Sequence, residues 1–326
     1  MQNVLEVKNL KTYFFTDEGI AKAVDDISFE IGAGETVGLV GESGCGKSVT
    51  SLSVMRLLKA HTMEGQILLE GKDLNKMSER ELSKTRGKDI SMIFQDPMTS
   101  LDPCFTCGYQ MRETILQHHD VDKQQADKMA LELLKSVGIP DPKATLRRYP
   151  HELSGGQRQR IMIAMAMTCN TKLLIADEPT TALDMTIQAQ ILNLMRDIRK
   201  EHNTAILMIT HDLGVVAEVC DKVAIMYAGE IVEYGSLEQI FHRPTHPYTQ
   251  GLFASIPSLS KKVHRLTPIH GLMPDPTCLP EGCKFADRCP YATEACKREP
   301  DVYTMEPGHA VKCVRADNSD KEASHE

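Results

Sequence analysis

The chain has 326 residues and a formal net charge of −8, enough length for a large domain with a buried core or for two domains. An acidic balance gives no electrostatic case for nucleic acid as the main partner. The opening stretch MQNVLEVKNLKTYFF carries Glu6, Lys8 and Lys11 among its apolar residues and lacks the apolar core and small-residue cleavage site of a signal peptide, and no run approaches the roughly 18 apolar residues of a bilayer span. The expectation is a soluble cytoplasmic chain with reduced cysteines.

Residues 3–15 and 22–31 alternate apolar with polar side chains and predict a hairpin. TVGLVG (36–41) is a short uncharged run, as expected of a buried strand. The Gly-rich turn after it leads into a helix predicted from Lys47 to about Lys59. QILLEG and ISMIFQ predict further strands. Residues 108–169 are mostly helical in pattern, as in KQQADKMALELLKSVG, where Gly138 and Pro140 give a stop. Strand and helix signals then alternate through KLLIAD, TIQAQILNLMRDIRKEH, TAILMIT, DLGVVAEVC and KVAIMY. That alternation predicts an α/β core with a largely parallel sheet, into which the helical stretch is inserted. From about Ser255 proline, cysteine and charged residues take over and predict a separate C-terminal extension. The last ten residues, DNSDKEASHE, have the composition of a disordered tail.

GESGCGKS (41–48) fits G-x-x-x-x-G-K-S/T between a strand and a helix. Gly41, Gly44 and Gly46 let the backbone turn sharply and aim N–H groups inward. With Glu42, Ser43, Cys45 and Val49 they frame an anion site at a helix N-terminus. Lys47 brings a positive charge to the β- and γ-phosphates of a nucleotide, and Ser48 a hydroxyl to Mg²⁺. In LLIADEP (173–179) an apolar strand ends in two carboxylates. Asp177 is placed to reach Mg²⁺ through water, and Glu178 to orient or deprotonate the attacking water.

LSGGQRQR (153–160) resembles the signature motif of the ABC-transporter ATPases. Other elements stand in that family's order: Gln95 in IFQDP, TALD at 181–184 and His211 in ITHDL. The resemblance implies ATP and Mg²⁺ as ligands, Gln95 as a further Mg²⁺ contact, His211 as the switch histidine and Phe14 as the aromatic on adenine. It also implies that Ser154, Gly155, Gly156 and Gln157 serve the ATP of a second chain, in a head-to-tail dimer that closes on two nucleotides. The implied fold is a P-loop NTPase. It has a RecA-like core with an antiparallel β subdomain and an inserted helical subdomain. Residues 1–255 form the ATPase domain, with the helical part at about 96–168, and residues 256–326 a small Cys-rich extension.

MIFQDPMTSLDP, ADEPTTALDMTIQAQIL, HRPTHPYTQGLFASIP and the cysteine tail look like the D-type ATPase of bacterial dipeptide and oligopeptide importers. That branch implies a peptide-transporting ATPase at the cytoplasmic face of the membrane. Its partners would be an F-type ATPase subunit, two integral membrane permease subunits and an extracellular solute-binding protein. Importers of nickel chelates or glutathione are the alternative. A soluble ABC ATPase working on DNA fits less well, since no sustained heptads separate Ser48 from Leu153.

Cys283, Cys289, Cys296 and Cys313 are spaced C-x5-C-x6-C-x16-C. Four thiolates suit Zn²⁺ or a 4Fe–4S cluster, and spacing does not decide between them. The resemblance leans to the iron–sulfur cluster, as a staple that pins the tail remote from the ATP chemistry. Cys278 is left without a ligand role.

Overall fold

The computed structural model describes residues 3–181, 183–255 and 269–316; the last ten residues lie outside them. Strands β1 (Asn3–Thr16) and β2 (Gly19–Gly32) form the expected antiparallel hairpin. Leu5 and Val7 face the core, and so do Leu10 and Thr12, which have the opposite parity. A bulge at Asn9, with φ of 48°, makes the switch. The next strand, β3 (Thr36–Val40), enters a second sheet, while β4 (Thr62–Leu69) returns to pair with β1. Glu70 and Gly71, both at positive φ, turn the chain into the short β5 (Lys72–Asp73).

Among the described residues the second sheet has eight strands. Its centre is parallel: β6 (Ile90–Ile93), β7 (Leu173–Asp177), β8 (Ala205–Thr210), β3 and β9 (Lys222–Tyr227) lie side by side. Every residue of β3, β7 and β8 is buried, which is why these runs carry no alternation. An antiparallel strand, β10 (Glu230–Ser236), follows β9.

The sequence pattern breaks at residue 255, but the sheet does not. Strands β11 (Val302–Glu306) and β12 (His309–Lys312) form a hairpin, and β12 pairs with β10 at Glu233↔Val311 and Tyr234↔Ala310. Phe285 of the extension is buried, with its ring edge-on to Tyr227 at 5.1 Å and tilted against Tyr248 at 5.4 Å. The extension therefore borrows its core from the body of the protein.

Helices Cys107–His118, Lys123–Ser136 and Gly155–Ala166 fill the predicted helical stretch, packing through Met111, Ile115, Ala130, Leu134 and Ile161. The helix after the glycine loop is shorter than expected and ends at Val54. Arg56 takes φ of 55°, and Leu57 N–H bonds back to Leu52 O at 2.9 Å. A left-handed helix stop without glycine leaves no sequence signal.

Candidate active site

The loop 41–48 runs from the end of β3 into the helix Lys47–Val54. Gly46 has φ of 110°, and a Cβ there would sit 2.3 Å from Ala23 O, so both conformation and space require glycine. Lys47 is folded back: its Nζ donates to Gly41 O at 2.7 Å and Glu42 O at 2.9 Å. The ammonium thus occupies loop carbonyls, within reach of the cleft it lines.

Ser48 Oγ donates to Asp177 Oδ1 at 3.3 Å, and Ser51 Oγ to Oδ2 at 3.5 Å. Asp177 is 4 % exposed. Burial raises its pKa, partly offset by the Ser48 bond. A buried carboxylate next to a hydroxyl, short of positive charge, suits Mg²⁺, which needs few protein ligands when phosphates supply the rest. Ser48 and Asp177 are the residues that would hold it.

Glu178 follows at the strand end, with φ of 47°. Its Oε1 faces His211 Nδ1 at 3.1 Å, and its Oε2 accepts from Gln95 Nε2 at 3.0 Å and Thr181 Oγ1 at 2.9 Å. Burial acts to raise its pKa, but the His211 and Thr181 bonds outweigh that and lower it. The carboxylate is thus kept ionised and aimed, as a proton acceptor must be.

A cavity of about 200 Å³ joins these groups, lined by Ser43, Gly44, Gly46, Lys47, Ser48, Val49, Gln95 and Glu178. Lys22 and Ala23 of β2 and Gly229 also line it. Phe14 lies on β1 opposite Ala21 and is not among the lining residues. Ser154 caps the helix Gly155–Ala166 by accepting from Gln157 N at 3.3 Å. It is exposed, and none of residues 154–157 lines this cavity. The loop 41–48 and residues 154–157 of one chain are therefore apart. Gly156 packs against Ile187, where a Cβ would meet the side chain at 2.8 Å.

The C-terminal extension reaches this cavity. Pro274, Pro276 and Leu279 line the same cavity, and Lys22 N–H donates to Pro276 O at 3.0 Å. Arg288 and Tyr248, which hold Glu42, were not singled out from the sequence either. The four cysteines expected to hold a metal lie in the same extension. The Cys283 thiol is pushed up to about 11 by burial and then by Cys296, Cys313 and Cys289, and Cys283 N–H donates to Cys296 O at 2.9 Å. Gly282, at φ of 80°, lets the chain pass close to Cys296 O. Yet among the described residues no group of three or more such side chains is arranged to hold a metal ion.

The ABC transporter family model matches residues 24–181, and that of the oligopeptide/dipeptide transporter C-terminal region matches residues 232–296. The oligopeptide transport ATP-binding protein AppD of Bacillus subtilis is 50 % identical over 99 % of this chain and 100 % of its own length. This chain belongs to the ATP-binding proteins of the ABC transporters. The dipeptide transport ATP-binding protein DppD of Bacillus subtilis is 51 % identical, over 96 % of this chain and 95 % of its own. A dimeric structure of MJ0796, a bacterial ABC transporter cassette, has a TM-score of 0.65 at 28 % identity, covering 72 % of this chain and 98 % of that one. A second dimeric structure of the same cassette, bound to ADP and Pi, matches equally well. No helix among the described residues is long and apolar enough to cross a membrane.

Proposed function

We infer that this ABC protein is the ATP-hydrolysing subunit of an importer of dipeptides or oligopeptides. The observation that supports the chemistry is the convergence of Lys47, Ser48, Gln95 and Glu178 on one cavity, with the buried Asp177 bonded to Ser48 and Glu178 held by donors on both oxygens. Lys47 leaves the carbonyls of Gly41 and Glu42 to meet the phosphates. Mg²⁺, when bound at Ser48 and Asp177, neutralises charge on them, and Gln95 is proposed as a further contact. Glu178 takes the proton of the attacking water, and His211 steadies the carboxylate. Phe14 is proposed as the adenine contact once nucleotide enters.

Ser154, Gly155, Gly156 and Gln157 are proposed to meet the nucleotide of a second chain, because an exposed helix N-terminus has N–H groups to offer an anion. The second chain is an F-type ATPase subunit. The pair works beneath two permease subunits at the cytoplasmic face, fed by an extracellular solute-binding protein. Residues 1–255 act as the ATPase domain, with the helical insert at about 96–168 relaying its closure, and residues 256–326 form the extension. The test is co-purification: the chain should bring integral membrane subunits with it, and hydrolysis should rise when they and the F-type subunit are added. Full activity in a strictly monomeric preparation would count against the shared sites.

For the extension we propose a 4Fe–4S cluster on Cys283, Cys289, Cys296 and Cys313, with Zn²⁺ as the alternative. Four cysteines within one short segment support it, with Cys283 and Cys296 joined through their backbones, and ligation requires the four side chains to turn toward a common centre. Anaerobically purified protein should be brown, with about four irons and four labile sulfides per chain. Colourless protein with stoichiometric zinc would replace iron by zinc, and metal-free protein would remove both.

A further inference from the structure

The phosphate loop is fastened from outside its own motif, and the point of attachment is Glu42. Its N–H donates to the Tyr248 hydroxyl at 2.9 Å. Its carbonyl accepts from Lys47 Nζ at 2.9 Å. Its carboxylate takes both arms of the Arg288 guanidinium, Nη1 to Oε2 at 2.8 Å and Nη2 to Oε1 at 3.1 Å. The Arg288 side chain is only 6 % exposed. Its Nε donates to His270 O at 2.9 Å, and its charge lies over the rings of Tyr227 at 5.6 Å and Phe285 at 5.9 Å. The arginine is therefore fixed in place before it meets Glu42.

A second anchor stands beside the first. Lys284 Nζ, almost fully buried, reaches Asp25 and Glu230, both at 2.9 Å, and Ala228 O at 3.2 Å. With the Pro276–Lys22 backbone bond, the extension grips the phosphate loop, β2 and the β9–β10 turn. Between these anchors Pro274, Pro276 and Leu279 close one side of the cavity.

We propose that the C-terminal extension is a working part of the nucleotide site, in which Arg288 is a positioning residue that presets the phosphate loop through Glu42. This rests on the ATP-binding reading given above. When phosphates arrive, Lys47 moves to them and Glu42 O loses its partner. Arg288 and Tyr248 then keep the loop in its nucleotide-ready shape, so ordering the loop is not charged to binding. Arg288 also neutralises a carboxylate that would otherwise face a polyanion. A bidentate arginine pair is strong, and losing the buried Arg288 leaves the part-buried Glu42 carboxylate uncompensated beside the loop.

The two effects suggest an experiment with three variants of the full chain, each titrated with a fluorescent ATP analogue and Mg²⁺. Arg288→Gln should raise the ATP Kd about tenfold. In the assembled transporter KM should rise far more than kcat falls. Adding Glu42→Gln to Arg288→Gln should recover much of the loss, because the unpaired carboxylate is gone. Arg288→Lys keeps the charge without the fork and should fall between the wild type and Arg288→Gln. An unchanged Kd in folded Arg288→Gln, or a double variant no better than the single one, overturns the proposal. If Arg288→Gln does not fold, Arg288→Lys decides alone, and wild-type affinity in it is the refuting result. A wild-type chain that binds no ATP would instead refute the ATP reading itself.

Discussion

Glu178 and His211 meet just beyond the ends of two neighbouring parallel strands, β7 and β8, with Oε1 and Nδ1 3.1 Å apart. The register of those strands sets the pairing, and the bond from Glu178 N–H to Ile209 O at 2.8 Å locks it. A glutamate at φ of 47° is strained by on the order of 1 kcal/mol, and such strain persists where the surroundings over-determine it. Here the strain aims a carboxylate into the cavity.

Glu178→Gln should therefore keep ATP binding and lose hydrolysis by about a hundredfold or more, since the amide keeps the shape but takes no proton. The sign of the pH effect follows from the lowered pKa of Glu178. Its ionised form is favoured in the folded protein, so its contribution to stability is present above the unfolded pKa and lost as pH falls through the folded one. The acid limb of kcat caused by this residue should lie below the ordinary glutamate range. A Glu178-dependent limb near neutrality in the assembled transporter would show the assignment to be wrong.

Lys47→Ala removes the ammonium that now bridges Gly41 O and Glu42 O. It should weaken ATP binding by roughly ten- to a hundredfold, the usual worth of charge-assisted bonds to phosphate. Equilibrium titration of nucleotide is the check, and wild-type affinity is the refuting result.

Asp177 behaves oppositely to Glu178. Burial raises its pKa, so ionising it opposes folding as pH climbs through its unfolded and then its folded value. Asp177→Asn should raise the thermal midpoint of nucleotide-free protein at neutral pH. The same change should remove Mg²⁺-dependent stimulation of ATP binding. A lower midpoint with Mg²⁺ dependence intact would mean that the carboxylate serves only to hold Ser48 and Ser51.

The residues proposed to carry the chemistry were legible because short-range pattern fixes them. A glycine loop after an all-apolar strand, or two carboxylates ending another, constrains local backbone that sequence spacing records. Arg288 and Glu42 are 246 positions apart, and nothing near FADRC marks its arginine as a partner of the phosphate loop. The same holds for the helix that stops at Arg56, where the left-handed residue is not glycine. The break at residue 255 marks a real change in composition. Composition, however, does not say whether the segment that follows folds by itself or, as β12 does, adds to an existing sheet.

One buried carboxylate helps to hold that addition, beside the Lys312–Glu230 ion pair at 3.1 Å. Glu233 of β10 has no exposed surface, and it accepts from Thr245 N at 2.8 Å, His246 N at 3.0 Å and His309 Nε2 at 2.9 Å. Two of these donors fix the turn before the helix Pro247–Ala254, which carries Tyr248, and the third lies on β12. Glu233→Ala leaves all three without an acceptor, at a cost of about 3 kcal/mol or more. His309→Ala also leaves Glu233 with one partner fewer but keeps the turn, so it should cost less and act mainly on the β11–β12 hairpin. Hydrogen exchange separates the two. Glu233→Ala should speed exchange in both the hairpin and the turn around Tyr248, whereas His309→Ala should speed it in the hairpin alone. If Glu233→Ala leaves protection of β12 unchanged, the strand is held by its backbone pairing to β10 and not by this carboxylate.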